Sequence, residues 1–98
     1  MEIVKNQSQD QLTVAVSGRL DTSTAPQLSE ALGELENVTN LVFDFEGLEY
    51  VSSAGLRVLL SAQKTMNTKG KMTLTHVNDS IMEVFEITGF SDIFTVEK

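Results

Sequence analysis

Two adjacent hydroxyls, Ser52 and Ser53, followed by Ala54-Gly55-Leu56-Arg57, stand where an apolar run passes into a helical pattern. The spacing puts Ser53 at or next to a helix N-cap, where aligned peptide dipoles and unpaired N–H groups favour an anion. The turn that follows, Ala54, Gly55 and Leu56, holds no carboxylate to neutralise that positive end. Gly55 costs about 1 kcal/mol of helix propensity relative to alanine, an expense that fits a close approach from outside. The chemistry suited to such a segment is the holding of an anion. A phosphate on Ser53 would add about −1.5 to −2 charges, which the helix end can hold without unfolding. A partner packed over the bare surface would then meet bulk, like charge and a desolvation penalty. Ser52, adjacent in the same loop, is the alternative acceptor. By itself the local pattern is foremost that of serines capping a helix.

Other chemistries find less support. His76 is the sole histidine, in phase with Met72 and Leu74, and is expected to top a packed strand face. Neither a Gly-x-Ser-x-Gly elbow nor an ordered Ser/His/Asp set accompanies it, so no catalytic residue is assigned and a binding module is expected rather than an enzyme. One histidine and carboxylates without ligand spacing predict no metal site. Neither phosphate-cradling glycine pattern for a nucleotide occurs, so no cofactor is expected.

The elements that must position these residues follow from periodicity. Leu12, Val14 and Val16 alternate with Thr13, Ala15 and Ser17 as in a half-buried strand, and Ile3-Val4 can pair with it through the Asn6 to Asp10 turn. Thr24 is a candidate cap for a first helix over about Thr24 to Glu36, with Pro26 in its first turn and Leu28, Ala31, Leu32 and Leu35 on one face. Leu41 to Phe45 reads as a central strand covered on both faces. A second helix runs from about Ala54 to Thr68, and Met72 to Thr75 is a further strand. Asp79 or Ser80 caps a third helix, Ser80 and Glu83 having capping-box spacing, and Gly89 stops it. Ile93 to Val96 is the last strand candidate, and Met66, Met72 and Met82 read as core filler. The predicted order is ββαβαβαβ: an α/β fold with a mixed sheet and about three to four helices, on whose carboxyl-end rim the Tyr50 to Gly55 segment lies.

With 98 residues, 41% of them hydrophobic, the chain fits a single domain over 1–98. The absence of cysteine excludes disulfides and thiolate chemistry. A net charge of −7 argues against nucleic acid and against an anionic membrane surface. Residues 1–50 carry two basic and nine acidic residues and the remainder five of each, so an acidic first half suits either a basic partner or plain solubility. No stretch approaches the roughly 18 apolar residues of a membrane span and the start lacks a basic leader, so a cytoplasmic location is expected.

Four segments then align with one family. Gly18-Arg19-Leu20-Asp21 with Thr24-Ala25, Leu41-Val42-Phe43-Asp44-Phe45, Ser52-Ser53-Ala54-Gly55-Leu56, and Phe85-Glu86-Ile87-Thr88-Gly89-Phe90 resemble successive signatures of STAS domains of the bacterial anti-sigma factor antagonist type. The resemblance spans nearly the whole chain. It implies a STAS-like fold and a partner-switching role. In that role the unmodified protein binds an anti-sigma factor that is also a serine kinase of GHKL type, releasing a sigma factor, and phosphorylation of Ser53 ends the interaction. A phosphatase would restore it. The implied partner-facing residues are Asp21, Thr22, Ser23, Ser52, Ser53, Gly55, Leu56 and Arg57. Many members have aspartate before the acceptor where this chain has Ser52. The other role that the resemblance implies is an unphosphorylated subunit of a lipid-transport or sensory, stressosome-like assembly.

Overall fold

The computed structural model describes all 98 residues, Met1–Lys98. Strand β1 (Glu2–Ser8) turns at Gln9, in the left-handed region at φ 57°, and pairs antiparallel with β2 (Gln11–Leu20), Glu2 opposite Ser17 and Ser8 opposite Gln11. Thereafter come α1 (Ala25–Leu32), β3 (Asn40–Asp44), β4 (Leu48–Val51), α2 (Ser53–Asn67), β5 (Lys71–Thr75), α3 (Asp79–Thr88), a short 3₁₀ turn (Phe90–Asp92) and β6 (Thr95–Val96). The sheet runs β1-β2-β3-β5-β6, with β4 beside the second half of β2. All pairings after the hairpin are parallel, giving the expected mixed sheet.

Strand alternation decides where the core lies. Leu12, Val14 and Val16 of β2, Leu41 and Phe43 of β3, and Met72 and Leu74 of β5 are buried, while Thr13, Ala15, Val42, Asp44, Thr73 and Thr75 between them are only half-buried. The helices therefore cover one face of the sheet, which corrects the expectation of a β3 enclosed on both sides. Twenty-four buried apolar residues form one continuous cluster. Phe85 meets Phe94 edge-on at 5.5 Å and Phe90 stacks on Phe94 at the same distance, so α3 and the chain end close the core together.

Several boundaries differ from the sequence expectation. The order gains a strand, β4, and its pairing explains the gain: β2 is ten residues long, so Gln11 to Ala15 are taken by β3 and Gly18 to Leu20 remain for a second partner. The register shifts between Gly18 and Arg19, where the Gly18 N–H donates to the Gly47 carbonyl at 2.9 Å. Helix α1 stops at Leu32 rather than Glu36 because Gly33, Leu35 and Asn37 all adopt positive φ, although Leu35 is still buried. Helix α3 is capped by Asn78, whose side chain accepts from the Ile81 N–H at 2.9 Å, and not by Asp79 or Ser80. Gly89 does end it in the left-handed region, at φ 82°. The last strand shrinks to Thr95–Val96 because Ile93, the C-cap of the 3₁₀ turn, keeps helical dihedrals and Phe94 turns into the core. His76 does not top a packed face: it adopts φ 55° and its ring is exposed.

Candidate functional site

Strands β2 and β4 end side by side, Leu20 opposite Val51, and the loops leaving them form one rim. Ser52 continues the pairing by donating its N–H to the Leu20 carbonyl at 2.8 Å. It is also the α2 N-cap, with extended dihedrals and its hydroxyl accepting from the Gly55 N–H at 3.3 Å. Ser53 is thus the first helical residue and is exposed. In this first turn the N–H groups of Ser53 and Ala54 have no intrahelical acceptor. The turn contains no acidic residue. Helix α1 lacks one too, but the Asp21 carboxylate stands just before it; α3 carries Asp79. Only α2 presents an uncompensated positive end.

Gly55 has a different reason from the one its helix cost suggested. A Cβ there would lie 2.6 Å from Leu20 Cγ and 3.0 Å from Val51 Cγ2, so the glycine lets α2 settle onto β2 and β4. Gly55 and Leu56 are buried beneath the rim and anchor the helix, whereas Ser53 and Arg57 face outward. Of the residues expected to face a partner, Gly55 and Leu56 are thus the buried ones.

Across the rim, Asp21 organises the β2–α1 loop. Its Oδ1 accepts from the Ser23 hydroxyl at 2.8 Å and from the N–H groups of Ser23 and Thr24 at 3.0 and 3.1 Å. These bonds, the Ser23 hydroxyl foremost, hold the carboxyl below its ordinary value of 3.8 despite an opposing contribution from desolvation. Thr24 makes no side-chain cap; its hydroxyl accepts from the Asp21 N–H and donates to the Arg19 carbonyl, both at 2.8 Å. Thr22 and Ser23 are exposed on the same loop.

Two rim residues escaped the sequence reading. Arg19 and Tyr50 are paired across β2 and β4, and the guanidinium lies 4.2 Å from the Tyr50 ring centroid. Arg19 Nε also lies 3.8 Å from Asp21 Oδ2, and Tyr50 is 40% exposed. Surface Arg and Tyr held in fixed poses are what protein interfaces favour as anchors. Their link depends on β4, which the sequence pattern did not reveal.

His76 Nδ1 lies 2.9 Å from Asp44 Oδ1, so its partner is a carboxylate and not a serine hydroxyl. Asp44, Glu46 and His76 bring one ligand atom each to within 4.8 Å of one another. The carboxylates are therefore not all scattered, as their sequence spacing suggested. No helix is long and apolar enough to cross a membrane.

Comparison with known proteins fits this geometry. The STAS domain family model matches residues 2–98. The anti-sigma-B factor antagonist of Listeria monocytogenes is 31% identical over 97 residues, covering 96% of this chain and 85% of that protein. An anti-sigma factor antagonist from Mycobacterium paratuberculosis superposes with a TM-score of 0.87 at 22% identity, over 98% of this chain and 84% of that one. The Bacillus cell fate determinant SpoIIAA in its phosphorylated form gives 0.75 at 17% identity, over 99% of this chain and 92% of that one.

Proposed function

The chain belongs to the STAS domain family of bacterial anti-sigma factor antagonists, and from that premise we propose that it is a cytoplasmic binding module, not an enzyme, switched by phosphorylation of Ser53. Unmodified, it binds an anti-sigma factor that is also a GHKL-type serine kinase, and so frees a sigma factor. The kinase ends the interaction by phosphorylating Ser53, and a phosphatase reverses it. Asp21, Thr22, Ser23, Ser53 and Arg57, with Arg19 and Tyr50, form the contact surface around the acceptor.

The single observation that carries this reading is the division of labour between the two serines. Ser52 is half-buried and uses its hydroxyl for the helix cap, whereas Ser53 is exposed one position on, at a helix end whose first turn holds no carboxylate. A phosphate at 53 meets free N–H groups and a favourable dipole, so it is accommodated without rearranging α2. Its effect is felt by whatever lies over the rim. A structure of a relative solved in a phosphorylated form is in keeping with such a switch.

The direct test is phosphopeptide mapping after incubation with the cognate kinase. Label is expected on Ser53, retained in Ser52→Ala and lost in Ser53→Ala. Label confined to Ser52 would overturn the assignment. Co-purification with a transport ATPase in place of a kinase would favour the assembly-subunit role.

A further inference from the structure

At the same end of the sheet, a second constellation lies apart from the serines. Asp44 closes β3 and pairs with Thr75 at the end of β5, so His76, the residue that follows the strand, comes to lie beside it. The Thr75 hydroxyl fastens the two strand ends by donating to the Phe43 carbonyl at 3.0 Å. Glu46 stands in the turn between β3 and β4, and its N–H donates to Asp44 Oδ1 at 3.0 Å. That bond fixes the orientation of the Asp44 carboxylate. The result is one imidazole nitrogen and two carboxylate oxygens, all within 4.8 Å of one another.

We propose that Asp44, Glu46 and His76 form a binding site for a borderline divalent cation of the Zn²⁺, Co²⁺, Ni²⁺ class. Two arguments support it. The first is electrostatic: a simple Asp44–His76 pair would account for the 2.9 Å contact but not for a second carboxylate brought against the first. The Glu46 backbone N–H already donates to Asp44 Oδ1, and the repulsion between the two neighbouring carboxylates is relieved when a cation binds between them. Glu2 adds a third carboxylate to the hollow lined by Asp44 and Glu46, which deepens the local negative potential.

The second argument is geometric. The 2.9 Å between His76 Nδ1 and Asp44 Oδ1 is a hydrogen-bond separation, and opening it to the about 3.4 Å edge of a tetrahedron of ligands at about 2.1 Å from one ion takes only small side-chain rotations. Both can bind one ion without backbone movement, and exposed Glu46 closes the face by a rotamer change. Imidazole with carboxylate suits the zinc class, whereas Mg²⁺ and Ca²⁺ prefer all-oxygen shells. Three protein ligands leave the remaining positions to water, so the site is a modest one. A bound ion would tie the β3–β4 turn to the β5–α3 turn.

The test is isothermal titration of the chelator-treated full chain with ZnCl₂ and then CoCl₂, alongside NMR of the ring of His76, the only histidine. One ion per chain is expected, with movement of the Nδ1 resonance and no competition from millimolar Ca²⁺. His76→Ala should weaken binding at least tenfold and Glu46→Gln several-fold, with unchanged circular dichroism. Should His76→Ala fail to fold, the Glu46→Gln variant and the wild-type ring resonance decide. No binding at millimolar zinc, an unmoved ring resonance, or undiminished affinity in both variants would overturn the proposal.

Discussion

On the proposed reading, a negative charge at Ser53 acts on folding and on binding in opposite directions. At the first position of α2 it interacts favourably with the helix dipole, by about 0.3–1 kcal/mol, so Ser53→Asp should melt at or slightly above the wild-type temperature. Ser52→Ala has the reverse effect: it deletes the hydroxyl that accepts from the Gly55 N–H and should cost about 1 kcal/mol. Thermal unfolding of the two variants checks both signs; a destabilised Ser53→Asp would mean that Ser53, too, is a structural cap. Asp21 gives a third handle. Because its carboxyl is held below 3.8 by the Ser23 hydroxyl and the Ser23 and Thr24 bonds, the loop's stabilisation is complete above that value. It is lost only as the pH falls through the depressed folded value. Amide resonances of Ser23 and Thr24 should therefore keep their neutral-pH positions down to about pH 4, and Asp21→Asn should abolish their acid transition. A midpoint at or above 3.8 would contradict the loop geometry.

Helix α2 is where element packing and helix propensity compete. Gly55→Ala adds helix propensity of about 1 kcal/mol but places a Cβ 2.6 Å from Leu20 Cγ. Overpacking typically costs about 1–3 kcal/mol, so the variant should unfold at lower urea than wild type; a gain in stability would show that α2 can lift off β2 freely. The same helix shows how far sequence reading reached. Its limits came within one residue because Leu56, Leu59 and Met66 repeat at helical spacing and Gly70 follows. The strand before it, Leu48 to Val51, was missed because its burial does not alternate: Glu49 and Tyr50 are both exposed between two buried ends. The end of α1 and the setting of His76 were misjudged for another reason. Leu35, Asn37 and His76 take positive φ, a conformation that tertiary packing imposes and residue type does not announce. Pairs assembled by the fold, Arg19 with Tyr50 and Asp44 with His76, lie about thirty residues apart and leave no local signal.

The whole molecule behaves as one packed unit around the sheet. Its radius of gyration, 12.1 Å, agrees with the roughly 13 Å expected of a compact chain near 100 residues, and its buried apolar residues form one cluster. Unfolding followed by far-ultraviolet dichroism and by Tyr50 fluorescence should accordingly give coincident transitions; separate midpoints would divide the chain into independent parts. On the proposed reading a phosphate at Ser53 would act at the surface of this body, and its readout would be affinity. The decisive measurement is the dissociation constant for the cognate anti-sigma kinase, determined by titration calorimetry for wild type, Ser53→Ala and Ser53→Asp. The account predicts wild-type affinity for Ser53→Ala and at least a tenfold loss for Ser53→Asp with unchanged circular dichroism; equal affinities for the two variants would contradict it.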